Sequence, residues 1–424
     1  MQKAILYTFL LLLFFSCDEL TEDFNKKEYE NPIKIAVVGD ITVVERVNIE
    51  NNFFGAQLAC EEINNNGGIS IDGKKHELQA IYKNSATNAE KGIEIVNNCA
   101  KGNINIIVGP TISSVAIPMA EECISNNILM MSYSATNPEI TNLADNNLIW
   151  RTCPSDTYSG NSSAQYAYNK LDVKTAGIIY RDDAFGIGLK NKIKDEFENL
   201  GGEVISTVYF PADNINFQTC NFNIILSELF VDKPEIIFTA FFNSEIGKVT
   251  IEINKHPFYK EYENKPIVFV NDGIIYDEIK ANGDPDVAET IIGISSTSHT
   301  NSNYINFQTN FLSRFNFLPV TYTEHTYDAI YNIAYAIQEK NSYEVDSIKS
   351  SLRYISGGIN PNNSTIINVN NFEFGKQELS SGNMINYQGA SGPIDFDSNG
   401  DCRSELTIWG IQNNEYVELD KIQE

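Results

Sequence analysis

A chain of 424 residues exceeds what one ordinary hydrophobic core organises, so two domains are expected. Fifty-six acidic against 30 basic side chains give a formal charge of −26, which argues against nucleic acid or an anionic membrane face as partner. The four histidines (His76, His256, His299, His325) stand far apart and no C-x-x-C pair occurs, which argues against a metal or redox centre.

The chain begins with Lys3, a short apolar run Ala4–Phe15, and then Ser16-Cys17. About twelve apolar residues are too few to span a bilayer, so residues 1–17 read as an export signal. The stretch resembles a bacterial lipoprotein lipobox, in which Cys17 would become the lipidated first residue. Phe14 departs from that pattern, which prefers Leu three residues before the cysteine. Loss of Lys3 with the leader takes the charge to −27, from 29 basic and 56 acidic residues. Residues 18–31, DELTEDFNKKEYEN, are polar and read as a flexible spacer. Acidic residues directly after the cysteine resemble surface-export signals in some bacteria and inner-membrane retention signals in others, so the leaflet stays open. The remaining cysteines, Cys60, Cys99, Cys123, Cys153, Cys220 and Cys402, would meet an oxidising compartment and read as structural disulfides or inert thiols.

From Ile33 the pattern alternates strand and helix. Strand 33–38, helix 53–65, strand 77–82 and helix 88–101 lead to strand 104–108, helix 113–126 and strand 128–132. The pattern restarts with strand 176–180, helix 187–200, strand 204–209, helix 217–230, strand 236–240, a helix near 246–255 and strand 267–270. Such alternation builds parallel sheets covered on both faces, here in two lobes with a junction near Trp150–Ser155. Strand 289–296 leaves the second lobe, and helices follow at 325–338 and 343–354. Residues 357–379 are Asn-rich without either period and are expected to be irregular. A hairpin is predicted from 392–396, a turn at Ser398-Asn399-Gly400, and strand 406–411.

The stretch IIVGPTISSVAIPMAEECISNNILMMSYSATNPEI, residues 106–140, carries the candidate site. Two strand ends deliver small hydroxyl residues to one rim, Ser113 at a helix N-terminus and Ser134 and Thr136 after the next strand. Unpaired N–H groups and the helix dipole at such a rim attract an anion of carboxylate size. Capping and turn chemistry alone would also account for Ser113 and Thr136.

In this order and spacing VVGD (37–40), NNNGGI (64–69), VGPTISS (108–114), SATNPEIT (134–141), RTCPSD (151–156), FGIG (185–188) and YQGASGPIDFDSNGD (387–401) resemble type I periplasmic binding proteins. The nearest subgroup is the branched-chain amino-acid (leucine/isoleucine/valine) binding proteins of ABC importers. The resemblance covers nearly all of residues 33–411. It implies an α/β fold of two Rossmann-like lobes with parallel sheets, joined by a three-crossover hinge in a Venus-flytrap arrangement. Lobe one would comprise 32–151 plus 297–385, and lobe two 152–296 plus 386–424.

The resemblance further implies a solute held between the lobes and passed to a membrane permease, with no bond-making chemistry and no cofactor. Ser113, Ser134 and Thr136 would hold its carboxylate, and Asp272-Gly273 its α-ammonium. Phe185 and Phe242 fall where the family commonly has Tyr, so both lack a phenol hydroxyl and would serve as walls. That change fits a more apolar or aromatic solute, or a loosened hydrogen-bond set. Ile41, Thr42 and Val43 are candidates for the side-chain pocket. A sensory subunit reporting to a membrane receptor is the alternative reading.

Three other signals are weighed and set aside. Gly186-Ile187-Gly188 lacks the third glycine of a dinucleotide loop, Asn191 standing there. Asp395, Asp397, Asn399 and Gly400 imitate a calcium loop, but Leu406 occupies the twelfth place where the bidentate Glu belongs. Ser113 is not in a G-x-S-x-G setting. With sheet order 2-1-3-4-5, Cys99 and Cys123 fall on neighbouring helices and are the expected disulfide if one forms.

Overall fold

The computed structural model describes residues 29–39, 46–296, 301–357, 363–403 and 405–422. Cys17, Ile41, Thr42 and Val43 lie outside them. No helix among the described residues is long and apolar enough to cross a membrane.

The first sheet comprises β1 (Glu30–Gly39), β2 (Ile69–Ile71), β3 (Lys74–Asn84), β4 (Ile106–Val108), β5 (Leu129–Ser132) and β6 (Ile149–Arg151), in the order β2-β3-β1-β4-β5-β6. All neighbours are parallel except β2, which folds back antiparallel on β3. Without β2 this is the 2-1-3-4-5 order expected from right-handed crossovers. Ile35–Val38 and Ile106–Val108 are almost wholly buried, as a strand covered on both faces requires.

The second sheet comprises β7 (Thr175–Arg181), β8 (Glu203–Phe210), β9 (Ile236–Ala240), β10 (Ile267–Val270) and β11 (Ile291–Ser295), with two later strands, β16 (Leu406–Gln412) and β17 (Glu415–Ile422). Its order is β17-β16-β11-β10-β9-β7-β8, the same winding extended by an antiparallel edge.

Between these, the chain returns to the first lobe for helices Ser302–Phe315, Thr323–Lys340 and Val345–Ile355 and a parallel pair, β12 (Thr365–Asn368) and β13 (Ile385–Gln388). Helix Thr323–Lys340 is buried from Thr323 to Ile337 and packs against helix Arg46–Asn65. Gly55 allows that approach, since a Cβ there would collide with the Thr323 carbonyl.

Several expectations need correction. Helix Ser302–Phe315 was not predicted, although Tyr304, Phe307 and Phe311 give it a buried face at helical spacing. The Asn-rich stretch contains β12 and the helix Phe372–Ser380, because Ile367 and Phe372 reach the first core. Helix 217–230 is broken into Asn214–Thr219 and Phe222–Phe230, with Cys220 extended between them.

The predicted hairpin has different partners. β14 (Asp395–Phe396) pairs with β15 (Cys402–Arg403), whereas β16 pairs with β11 and β17 through the Asn413-Asn414 turn. Both turn residues have positive φ, which Asn tolerates and which suits a two-residue hairpin loop. The domain boundary at 385/386 shifts in consequence. Tyr387, Ala390, Ile394, Phe396 and Cys402 all join the core of lobe one, so the chain leaves that lobe only after β15.

Asp328 explains why YQGASG anchors there. Its carboxylate accepts from Tyr387 Oη (2.8 Å), the amides of Ala390 and Ser391 (2.8 Å each) and Ser391 Oγ (2.6 Å). A side chain at Gly389 would strike that carboxylate. All six cysteines of the described residues are thiols, so no Cys99–Cys123 bond forms.

Candidate functional site

In open parallel sheets a ligand usually lies in the crevice beyond the carboxyl ends of the strands, and here the segments after β5 and β7 meet through Asn137 and Ala184. On lobe one, β4 ends at Gly109, whose φ of +113° suits only glycine, and its amide donates to Met131 O at 2.9 Å. Thr111 Oγ1 and Tyr133 Oη are 2.7 Å apart, and Ser134 Oγ donates to Thr111 O at 2.7 Å. The two strand ends are thereby stitched into one rim.

Ser113 is the first residue inside helix Ser113–Ser125. The cap position belongs to Ile112, which offers no side-chain acceptor. Ser113 is not an N-cap, then, and its buried hydroxyl accepts the amide of Asn137 at 3.3 Å. Ser134 is half-buried, and its O–H is already engaged by Thr111. Thr136 is buried, and its O–H donates to Asp156 Oδ2 at 2.9 Å. Its amide has no acceptor among the described residues, whereas those of Ala135 and Asn137 are taken by Ser132 Oγ and Ser113 Oγ.

On lobe two, Phe185 and Phe242 follow β7 and β9 and stack with centroids 5.4 Å apart, inclined by 21°. The Arg181 guanidinium lies 3.6 Å from the Phe242 centroid and pairs with Asp183 (2.6 Å) and Glu245 (2.7 Å). The ring therefore rests on a fixed cation. Asp183 also caps helix Ala184–Asn199 through the Gly186 amide at 3.0 Å, and a Cβ at Gly186 would meet the Arg181 backbone. Gly186 thus lets the helix start pack closely on the end of β7.

Asp272 and Gly273 follow β10. Asp272 Oδ1 accepts the amides of Gly273 (3.0 Å) and Ser296 (3.2 Å), and Oδ2 accepts from Tyr322 Oη of lobe one (3.5 Å). Burial lifts this carboxyl above its ordinary range, against the pull of the Ser296, Gly273 and Tyr322 hydrogen bonds. Gly273 has φ +93°, and a Cβ there would sit 3.4 Å from the Tyr322 hydroxyl. Tyr322 itself has φ +70°, a strained position for a bulky residue.

The lobes touch at two places near these strand ends. Asn137 Nδ2 donates to Ala184 O at 2.5 Å on one side, and Tyr322 meets Asp272 on the other. A Cβ at Gly188 would lie 2.7 Å from Asn137 Nδ2, so that glycine admits the first contact. Ser113 and Thr136 are thus brought to lobe two through Asn137 and Asp156, and Asp272 to lobe one through Tyr322.

Sequence reasoning missed Asp156, Asn137, Tyr322 and Arg181. Asp156 stood in the quoted RTCPSD motif, but its burial at 2% exposure depends on tertiary packing. Burial pushes its carboxyl up to about 7, with the Asp272 charge adding to the rise and Thr136 and Arg151 opposing it. His325, wholly buried, is held down to about 4 by burial. Its Nδ1–H donates to Thr152 O at 2.9 Å, which leaves Nε2 as acceptor towards Ser296 Oγ, 3.5 Å away.

These two groups give opposite pH dependences. A folded pKa above the ordinary 3.8 means that the native state holds the Asp156 proton longer, so its contribution is lost as pH rises from about 4 to about 7. The depressed His325 loses stability in the other direction, as pH falls from about 6.5 towards about 4. Asp156→Asn should therefore gain stability relative to wild type as pH climbs from 4 to 7, and level off above. Urea unfolding of both proteins across that range measures it, and a flat difference would contradict the buried, neutral-favouring environment of Asp156.

A sequence profile described as "Receptor family ligand binding region" matches residues 55–414. Among curated relatives, a Leu/Ile/Val-binding protein of Rhizobium johnstonii is 28% identical over 202 residues, 47% of this chain and 52% of that protein. The Leu/Ile/Val-binding protein homolog 1 of Brucella suis biovar 1 is 23% identical over 302 residues, 70% of this chain and 76% of its own length. The chain thus spans about half the length of the first relative and three quarters of the second. Among solved structures, a leucine-binding protein of Thermotoga maritima superposes with TM-score 0.70 at 19% identity, covering 92% of this chain and 98% of that one. A branched-chain amino-acid transporter substrate-binding protein of Streptococcus pneumoniae, in complex with isoleucine, gives TM-score 0.70 at 18% identity, covering 92% and 100%. An ABC-transporter solute-binding protein of R. palustris, in complex with benzoate, gives 0.70 at 15%, covering 92% and 96%. The fold is that of all three, and with the profile covering most of its length the chain belongs to the receptor-family ligand-binding regions.

Proposed function

We propose that this chain is the solute-binding component of an ABC importer, closing on an amino acid or similar small amphoteric solute and delivering it to a permease. The observation that carries the reading is the opposition of chemistries across one crevice. Lobe one offers the unengaged Thr136 amide, the Ser113 hydroxyl and a helix N-terminus, whereas lobe two offers the Asp272 carboxylate.

A zwitterion satisfies both at once. Its carboxylate would take the Thr136 N–H and the Ser113 hydroxyl, with Ser134 at the edge. Its ammonium would lie at Asp272, where Gly273 leaves room, and the Phe185–Phe242 pair would wall the side chain. The Thr136 hydroxyl is committed to Asp156, so that residue serves through its backbone. Desolvated charges need such charge-assisted partners, because an unpaired buried ion costs several kcal/mol. Bridging the lobes gives the solute a differential affinity for the closed state, which is the condition for driving closure.

Nothing in this arrangement requires bond-making chemistry, and binding alone accounts for it. The Ser16-Cys17 sequence supports a lipid anchor at Cys17 that would hold the protein at the cell envelope. The Leu/Ile/Val-binding names of the relatives support an amino-acid solute.

Thermal melts of residues 18–424 against amino acids, their amides, small peptides and aromatic acids test the reading. A solute at a hundred times its Kd should add about 2.7 kcal/mol of stability. Stabilisation by α-amino acids is expected. A panel in which only solutes lacking one of the two charges stabilise, the amides or the aromatic acids, would overturn the amphoteric assignment.

A further inference from the structure

We propose that Arg151 and Asp401 form a clasp that holds the 134–137 turn with its amide aimed into the crevice, making Arg151 a positioning residue for solute binding. The inference rests on the reading that this turn receives the solute's carboxylate.

Arg151 is wholly buried, and a guanidinium has five N–H donors to satisfy. Each has a partner. Nε donates to Asp401 Oδ1 at 2.7 Å, and Nη1 donates to the carbonyls of Ala135 (3.4 Å) and Asn137 (3.0 Å). Nη2 donates to Thr141 Oγ1 and lies against Asp401 Oδ1, both at 2.5 Å. Thr141 Oγ1 closes the ring by donating to Asp401 Oδ2 at 2.7 Å.

A trans peptide fixes what this does to the turn. The Ala135 carbonyl and the Thr136 N–H belong to one planar unit and point in opposite directions. Holding Ala135 O on the guanidinium therefore turns the Thr136 N–H to the other side, where it has no protein acceptor among the described residues. A lysine would keep the charge but could not hold two carbonyls and a carboxylate from one rigid plane.

The clasp also joins the turn to the hinge. Arg151 is the last residue of β6, directly before the first passage into lobe two, and its amide donates to Gly400 O at 2.9 Å. Asp401 stands just before β15, after which the chain leaves lobe one for the last time. Gly400 has φ +77°, and a Cβ there would lie 2.8 Å from Ile149 O, so this segment lies directly on β6. Two of the interlobe passages and the turn consequently share one buried ion pair.

Calorimetric titration of wild type, Arg151→Lys and Asp401→Asn with L-leucine and with 3-methylbutylamine, the same solute without its carboxylate, tests this. Both variants are expected to lose at least ~10-fold in leucine affinity while the amine changes by less than ~3-fold, because only the carboxylate reads the turn. Hydrogen exchange of the ligand-free proteins should show faster exchange in 134–141 and 397–403 together. Equal losses for both solutes would indicate a merely structural role and overturn the proposal, as would unchanged leucine affinity or faster exchange in only one segment. If wild type binds neither solute, leucine is not its solute, and the joint exchange response alone upholds or overturns the clasp. Should Arg151→Lys not fold, Thr141→Val removes the bridging hydroxyl at a half-buried position and carries the same comparison.

Discussion

Asp272→Asn abolishes most of the stabilisation that wild type gains from an α-amino acid, while the ligand-free melt stays within a few degrees. Asn keeps the shape of the side chain, and its carbonyl oxygen still accepts from the Gly273 and Ser296 amides. What disappears is the anion that the ammonium would face. Removing one partner of a buried charge pair typically costs 2–5 kcal/mol, so affinity should fall by about 30-fold or more. At a solute concentration giving wild type about 2.7 kcal/mol of stabilisation, the variant should then gain only about 0.9 kcal/mol or less. Ser113→Ala should act in the same direction through the carboxylate end. An unaltered melting shift in the double variant would mean that the solute sits elsewhere.

The second large effect concerns the scaffold. Asp328→Ala should destabilise the ligand-free protein by about 3–5 kcal/mol, because it orphans several buried donors at once. Those donors are Tyr387 Oη, the amides of Ala390 and Ser391, and Ser391 Oγ. Gly389→Ala should cost about 1–3 kcal/mol by pushing a methyl group into the same carboxylate. Urea titrations monitored by the two tryptophans, Trp150 and Trp409, measure both. A loss below about 1 kcal/mol for Asp328→Ala would show that the segment relaxes and satisfies its donors with water.

Much of this architecture is legible in the primary structure because its causes are local. A strand buried on both faces must be a short run of mostly apolar residues, and Ile106–Val108 and residues 236–238 are such runs. A helix start can show itself through a residue such as Asn88, whose side chain accepts the Lys91 amide. The failures lie where one pattern fits two outcomes. Leu406–Gln412 reads as a strand in any register, but its partners are β11 and β17 rather than Asp395–Phe396, a choice made by the edge available on the second sheet. β12, four residues inside an Asn-rich stretch, is too short for any period to show.

The candidate site divides in the same way. Ser113, Ser134 and Thr136 could be picked out because each stands at a strand end or helix start, a position set by its immediate neighbours, whereas Asp272-Gly273 was named only by the family resemblance. The hydrogen bonds that give these residues their present roles are long-range. Thr136 spends its hydroxyl on a residue 20 positions away, Asp272 meets Tyr322 across 50, and Arg151 reaches Asp401 across 250. Local periodicity and turn chemistry determined where the rim would be and what types of group would line it. Which donors remain available there depends on pairings between separate lobes, because a buried polar group takes whatever partner the packed chain brings within 3 Å or so.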